Sequence, residues 1–130
     1  MIEFHLDSRS GVSPYLQLVQ QVRRSLRLGL LVPGDQLPTV KDVVGQLAIN
    51  PNTVLKAYRE LEHAGLVAPR PGIGTFVVGS LTSDSLAAHG PLRRDLRRWL
   101  DSARQAGLED QSIEDLFQDT FRLMNSEGVA

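Results

Sequence analysis

Few side chains in this 130-residue sequence could carry chemistry, and those few are not arranged for catalysis. His5, His63 and His89 lie far apart in the chain and lack the spacing of metal ligands. There is no cysteine, which removes disulfide scaffolds, thiolate zinc sites and cysteine nucleophiles together. No glycine-rich loop follows a strand in the phosphate-binding pattern. Asp101, Glu109, Asp110, Glu114 and Asp115 read as helix surface and caps, not as an acid–base pair. No enzyme activity, no metal and no cofactor are therefore expected. What remains is a cluster of polar residues at one helix start: Asn50, Asn52, Thr53 and Lys56. Asn can pair with adenine, Thr can reach a base or its methyl group, and Lys can reach guanine or a phosphate. A helix N-terminus also offers free N–H groups to a phosphate oxygen. Taken singly, Asn50 is an N-cap, Lys56 a solvated lysine, Arg70 a solvated arginine, and Gly72 and Gly74 turn residues. The four polar residues on one exposed arc are more than capping requires.

These residues need elements to hold them. Ser13-Pro14 reads as an N-cap with proline at the first helical position. Tyr15, Val19, Val22, Leu26 and Leu30 then recur at helical spacing, until Pro33-Gly34 breaks the pattern. Thr39-x-x-Asp42 resembles a capping box and opens a short helix to about Ala48. Asn50-Pro51 opens another, with Val54, Ala57, Tyr58 and Leu61 inward and Gly65 at its end. The pair, over about 39–64, makes a helix-turn-helix. Leu66–Ala68 and Thr75–Val78 then flank a tip at Pro69–Gly74, which reads as a β-hairpin over 66–78 in the position of a wing. Residues 80–90 read as a linker. In 91–130, one helix carries Leu92, Leu96, Trp99, Leu100 and Ala103 on a stripe. Another, capped by Ser112, carries Ile113, Leu116, Phe117, Thr120, Phe121 and Met124. The fold expected is mainly α with a small β-hairpin: a winged helix-turn-helix domain over 1–79, then a two-helix dimerisation tail.

Length and charge fit that division. The chain is long enough for a core without staples, and 42% of its residues are apolar. Residues 1–79 hold eight basic and six acidic side chains, a net of +2, while 80–130 hold six and nine, a net of −3. The front part permits a polyanion partner without demanding one. Neither a signal peptide nor a run of about 20 apolar residues is visible, so a soluble, cytoplasmic protein with no membrane partner is expected.

Residues 12–79 resemble the winged helix-turn-helix of GntR-type bacterial transcription regulators. The pieces that carry the resemblance are Pro33-Gly34-Asp35, Leu37-Pro38, Asn50-Pro51-Asn52-Thr53-Val54, Ala57-Tyr58, Leu61-Glu62, Gly65-Leu66 and Gly74-Thr75-Phe76. Asn-Pro-Asn-Thr and the short helical tail resemble the YtrA-type subgroup. The resemblance implies a homodimer on a palindromic operator, usually as a repressor, and suggests control of a transporter operon and of the regulator's own gene. It places DNA contacts on Lys41, on Asn50, Asn52, Thr53 and Lys56, and on Arg70 and Gly72 of the wing. Lys41 stands where the family usually has Arg, which keeps the charge and loses bidentate geometry. The wing reads Arg70-Pro71-Gly72-Ile73-Gly74, with one arginine where the family usually has more. Leu55 could touch a thymine methyl or pack on the wing.

Two amphipathic tail helices cannot bury both stripes by themselves, so a second copy is expected to cover them. Leu96, Trp99, Leu100, Phe117 and Phe121 are the expected dimerisation residues. Arg93, Arg94, Arg97 and Arg98 could instead form a second nucleic-acid patch, and a monomer with both tail helices packed on its own winged domain is the plain alternative. An unidentified small-molecule effector stays open, although no cluster of polar residues marks a pocket for one. The rival functions are a winged-helix protein-interaction module and an RNA-binding module. A protein-binding face would show exposed aromatics, and RNA binding would use aromatic platforms. The arc here is Asn, Asn, Thr and Lys, and aromatics make up 5% of the chain.

Overall fold

The computed structural model of the chain describes residues 2–81 and 90–127. The elements run α1 (Pro14–Arg27), α2 (Val40–Leu47), α3 (Pro51–His63), β1 (Val67–Arg70), β2 (Gly74–Val77), α4 (Gly90–Gln105) and α5 (Asp110–Glu127). They fall into two units, residues 1–88 and 89–130. The linker expected at 80–90 lies mostly outside the described residues.

The first unit has one apolar core. Leu18, Val22 and Leu26 of α1 meet Val43 of α2, Val54 and Leu61 of α3, and Val77 of β2, all fully buried. Leu37, from the segment between α1 and α2, completes the set. Burying each such side chain contributes about 1.5–3 kcal/mol, and together they clamp α3 between α1 and the hairpin. The segment before α1 is held down by two glutamines that the sequence reading did not single out. Gln21 pairs its amide with both backbone groups of His5. Buried Gln17 accepts from the Asp7 N–H, and its amide nitrogen faces acceptors on Asp7, Ser10 and Val12 at 2.9 to 3.1 Å. Phe4 enters the core beside them.

Several boundaries differ from the sequence reading. Ser13 occupies the N-cap of α1, but its hydroxyl makes no capping bond; Pro14 sets the start through its fixed φ. The helix stops at Arg27, because Gly29 turns left-handed at φ 73° and takes the chain off the axis. Leu30 therefore leaves the apolar stripe and is 65% exposed. The Thr39–Asp42 capping box forms as read, in both directions. Strand β1 reaches further than expected, with Pro69 opposite Thr75 and Arg70 opposite Gly74. Pro69 is tolerated because β1 is an edge. The inner strand is β2, whose other side bonds residues 34–37: Gly34 N–H to Val77 O, Val77 N–H to Asp35 O and Leu37 N–H to Thr75 O. The hairpin tip thus shrinks to residues 71–73.

In the second unit, α4 ends with Gly107 N–H on Arg104 O and Leu108 N–H on Ala103 O. Helix α5 starts at Asp110, so Ser112 lies inside its first turn and not at its cap. The Arg104 guanidinium reaches Asp110 across the turn at 3.5 Å. Among the described residues of this unit only Ala103 and Ile113 are buried.

Candidate nucleic-acid interface

Helices α2 and α3 are joined by Ala48, Ile49 and Asn50. Ala48 takes a left-handed conformation, φ 54°, and its N–H still closes α2 on Val44 O. A non-glycine residue there is uncommon and costs about 1 kcal/mol, a sign that the turn geometry is imposed by the packing of both helices. Asn50 then caps α3: its Oδ1 accepts from the Asn52 N–H at 2.8 Å. Capping claims that oxygen, so a bidentate base contact by Asn50 would have to break the cap. Pro51 occupies the first position of α3.

Beyond the cap, Asn52 is exposed and Thr53 half-buried, both on the first turn of α3. Lys41, in the first turn of α2, is exposed as well. Lys56 is exposed, but its Nζ sits 3.9 Å from the centroid of the Tyr15 ring on α1. That contact steers the ammonium toward the start of α1, a relation the sequence pattern did not reveal, since it joins residues 41 positions apart. Leu55 is half-buried, consistent with partial packing. On the opposite face of α3, Val54, Ala57, Tyr58 and Leu61 are buried as read.

Tyr58 ties α3 to the segment ahead of α2. Its hydroxyl donates to the carbonyl of Pro38, just ahead of α2. Burial, reinforced by the negative charge of Asp42, pushes the phenol well above its ordinary range. It therefore stays protonated, and a donor, well above neutral pH.

The wing is tied to the body by a residue that sequence reading missed. Gln36 donates from Nε2 to the carbonyl of Ile73 at 3.2 Å. Gly74, at φ +147°, lies so close to that amide that a Cβ would stand 2.6 Å from Nε2. No local sequence signal marks it, since Gln36 and Ile73 lie 37 positions apart. Arg70 is exposed and its guanidinium lies 4.4 Å over the Phe76 ring. The pairing register explains this. Arg70 faces Gly74, and Phe76 is the diagonal neighbour on the same face. Gly72 is exposed at the tip with φ +76°, which suits glycine.

In the second unit the predicted anchors are placed on two apolar stripes. Leu96 is 46% exposed, Phe117 48% and Phe121 56%, with Trp99 at 38%. Phe117 and Phe121 stack at 5.9 Å between centroids, and Leu100 is half-buried. A cavity of about 330 Å³ between α4 and α5 is lined by Leu96, Trp99, Leu116, Phe117, Phe121 and Met124, with Thr120. Arg93, Arg94, Arg97 and Arg98 are all exposed, and Arg98 stands 3.7 Å from Asp95. Among the described residues no cluster of His, Cys, Asp or Glu could hold a metal, and no helix is long and apolar enough to cross a membrane.

Comparison with known proteins bears on these features. Residues 14–77 match the family of bacterial regulatory proteins of the gntR type. The HTH-type transcriptional repressor YtrA of Bacillus subtilis is 32% identical over 113 residues, covering 85% of each chain. Among solved structures, YtrA from Sulfolobus acidocaldarius, a GntR-family transcription factor, superposes with a TM-score of 0.54 at 26% identity. That match covers 75% of this chain and 97% of the other. The DNA-binding domain of AraR in complex with operator ORR3 matches at a TM-score of 0.50 and 26% identity, over 59% of this chain and 93% of that one. The relatives are named transcription regulators and not enzymes, and an operator complex among them favours DNA binding over the interaction-module alternative. With the helix-turn-helix, the tethered wing and the short helical tail in place, the chain belongs to the GntR family as a DNA-binding transcription regulator.

Proposed function

We propose that this chain is a homodimeric repressor that binds an inverted-repeat operator in the cytoplasm. The observation that carries the reading is the exposed first turn of α3, in one unit with an exposed Lys41 on α2 and a wing tethered by Gln36. Helix α3 enters the major groove with Asn52 and Thr53 on base edges. Lys41 and Lys56 serve the phosphates, Asn50 presents the capped turn to the backbone, and Arg70 and Gly72 follow the DNA from the wing. The half-buried Thr53 and the ring-bound Lys56 make Asn52 the main base reader.

The tail makes the repeat. Leu96, Trp99, Leu100, Phe117 and Phe121 pair with their counterparts on a second copy. Each large side chain so buried stabilises the dimer by about 1.5–3 kcal/mol. A two-fold axis through the tail then demands two inverted half-sites at fixed spacing. The subgroup's habits extend the reading to a transporter operon that includes the regulator's own gene.

The test selects bound sequences from a random DNA pool with the full chain and measures its mass by sedimentation. An inverted repeat together with a dimer mass supports the reading. A single half-site bound by a monomer would contradict it.

A further inference from the structure

The wing of this chain carries its one cation on the strand and an isoleucine at the tip. Arg70 is drawn over Phe76, which pairs with Ala68, so its charge lies back along the hairpin. The tip itself, residues 71–73, is Pro-Gly-Ile. Ile73 is 62% exposed. A branched apolar side chain gains nothing from water there, yet its backbone is held at both ends. The Ile73 N–H donates to Arg70 O at 3.0 Å, and its carbonyl accepts from Gln36 Nε2 at 3.2 Å. The neighbouring Gly74 lets the Gln36 amide come close, since a Cβ there would stand 2.6 Å from Nε2.

We propose that Ile73 is a specificity residue: it enters the minor groove beside each half-site and selects A·T over G·C by apolar contact. This rests on the DNA-binding reading of the α3 face and the wing. The two pair types present the same acceptors in the minor groove, except that G·C adds the guanine 2-amino donor at the centre of the floor. An isoleucine covering that amino group shuts out its water and offers no acceptor, so an unpaired donor is buried. Over A·T the same side chain meets no such group, and exposed isoleucine is among the wedge residues that minor-groove proteins use. An arginine tip would also favour A·T-rich grooves, but through charge, and would lose its hold as salt rises. The preference set by Ile73 is independent of salt.

The experiment compares base preferences selected from random DNA by the full chain and by Ile73→Ala. Positions whose A·T preference vanishes in the variant, while the preferences read by α3 persist, are the wing positions. At one such pair, A·T is then replaced by G·C, by inosine·C, which lacks the amino group, and by diaminopurine·T, which adds it. We expect G·C and diaminopurine·T to weaken wild-type binding about tenfold, on the order of one buried unpaired donor. Inosine·C should restore it at both low and high salt, and Ile73→Ala should treat all four alike. If inosine·C behaves as G·C does, or Ile73→Ala keeps the wild-type preferences, the proposal is overturned and the α3 reading stands. If the wild-type chain selects no sequence at all, the DNA reading falls and takes this proposal with it.

Discussion

At the scale of single residues the interface divides into side chains that read and side chains that hold. Asn52 has no competing structural duty on its side chain, whereas the Asn50 oxygen is engaged by the cap. Asn52→Ala is expected to relax the preference at one base pair per half-site by about 1–3 kcal/mol while leaving others intact, as a selection profile would show. Arg70→Ala should instead weaken binding to all sequences alike and lower the salt slope by about one unit, read by titration at several ionic strengths. Tyr58 belongs to the holding group. Its neutral phenol is favoured in the folded chain, so the unfolded chain releases that proton first as pH rises. Stability is then unaffected at neutral pH and falls once pH passes the ordinary tyrosine value of about 10. Tyr58→Phe should flatten that alkaline decline and cost about 1–2 kcal/mol at pH 7, because the Pro38 carbonyl loses its partner. Urea unfolding at pH 7 and pH 11 measures both.

Elements were more legible in the sequence than the contacts between them. Periodicity and caps located α2 and α3 to within a residue or two, since Thr39, Asp42, Asn50, Pro51 and Gly65 are local signals. Helical spacing alone carries α1 on to Leu30, but Gly29 ends it. The apolar runs end at Ala68 and resume at Thr75, which makes the tip read longer than it is; the pairing continues through Pro69 and Arg70, where an edge strand accepts proline. The diagonal contact between Arg70 and Phe76 depends on the pairing of Arg70 with Gly74, which lies beyond those apolar runs. Lys56 on Tyr15, Tyr58 on Pro38 and Gln36 on Ile73 join distant parts of the chain, and no local pattern encodes them. The Gln36 tether gives a prediction for the wing as an element. Gly74→Ala places a methyl group against Nε2 at a φ unfavourable for alanine, so the tether must yield. Hydrogen exchange should then speed up at residues 71–76 while α1 and α3 keep their protection, and DNA affinity should drop severalfold. Unchanged exchange at the tip would show that Gln36 does not hold it.

For the whole molecule the decisive quantity is valence. One winged unit offers a handful of polar contacts and few cations, enough for weak binding; two units on one repeat multiply that affinity through effective concentration. The stripe on α4 and α5 is the part of the chain that supplies the second unit under this account. Phe121→Asp should therefore lower the dimer population by one to two orders of magnitude in sedimentation and weaken operator binding in parallel, with the thermal stability of the winged unit unchanged. Loss of affinity without loss of dimer would assign Phe121 another role.

Sequence-specific binding rests on the paired first turns of α3. The most direct measurement titrates the full chain into a selected inverted repeat and into a scrambled duplex of equal length, by fluorescence anisotropy at several salt concentrations. The repeat is expected to be bound at least about 10³-fold more tightly than the scrambled duplex, with salt weakening both. Equal affinity for the two duplexes would contradict it.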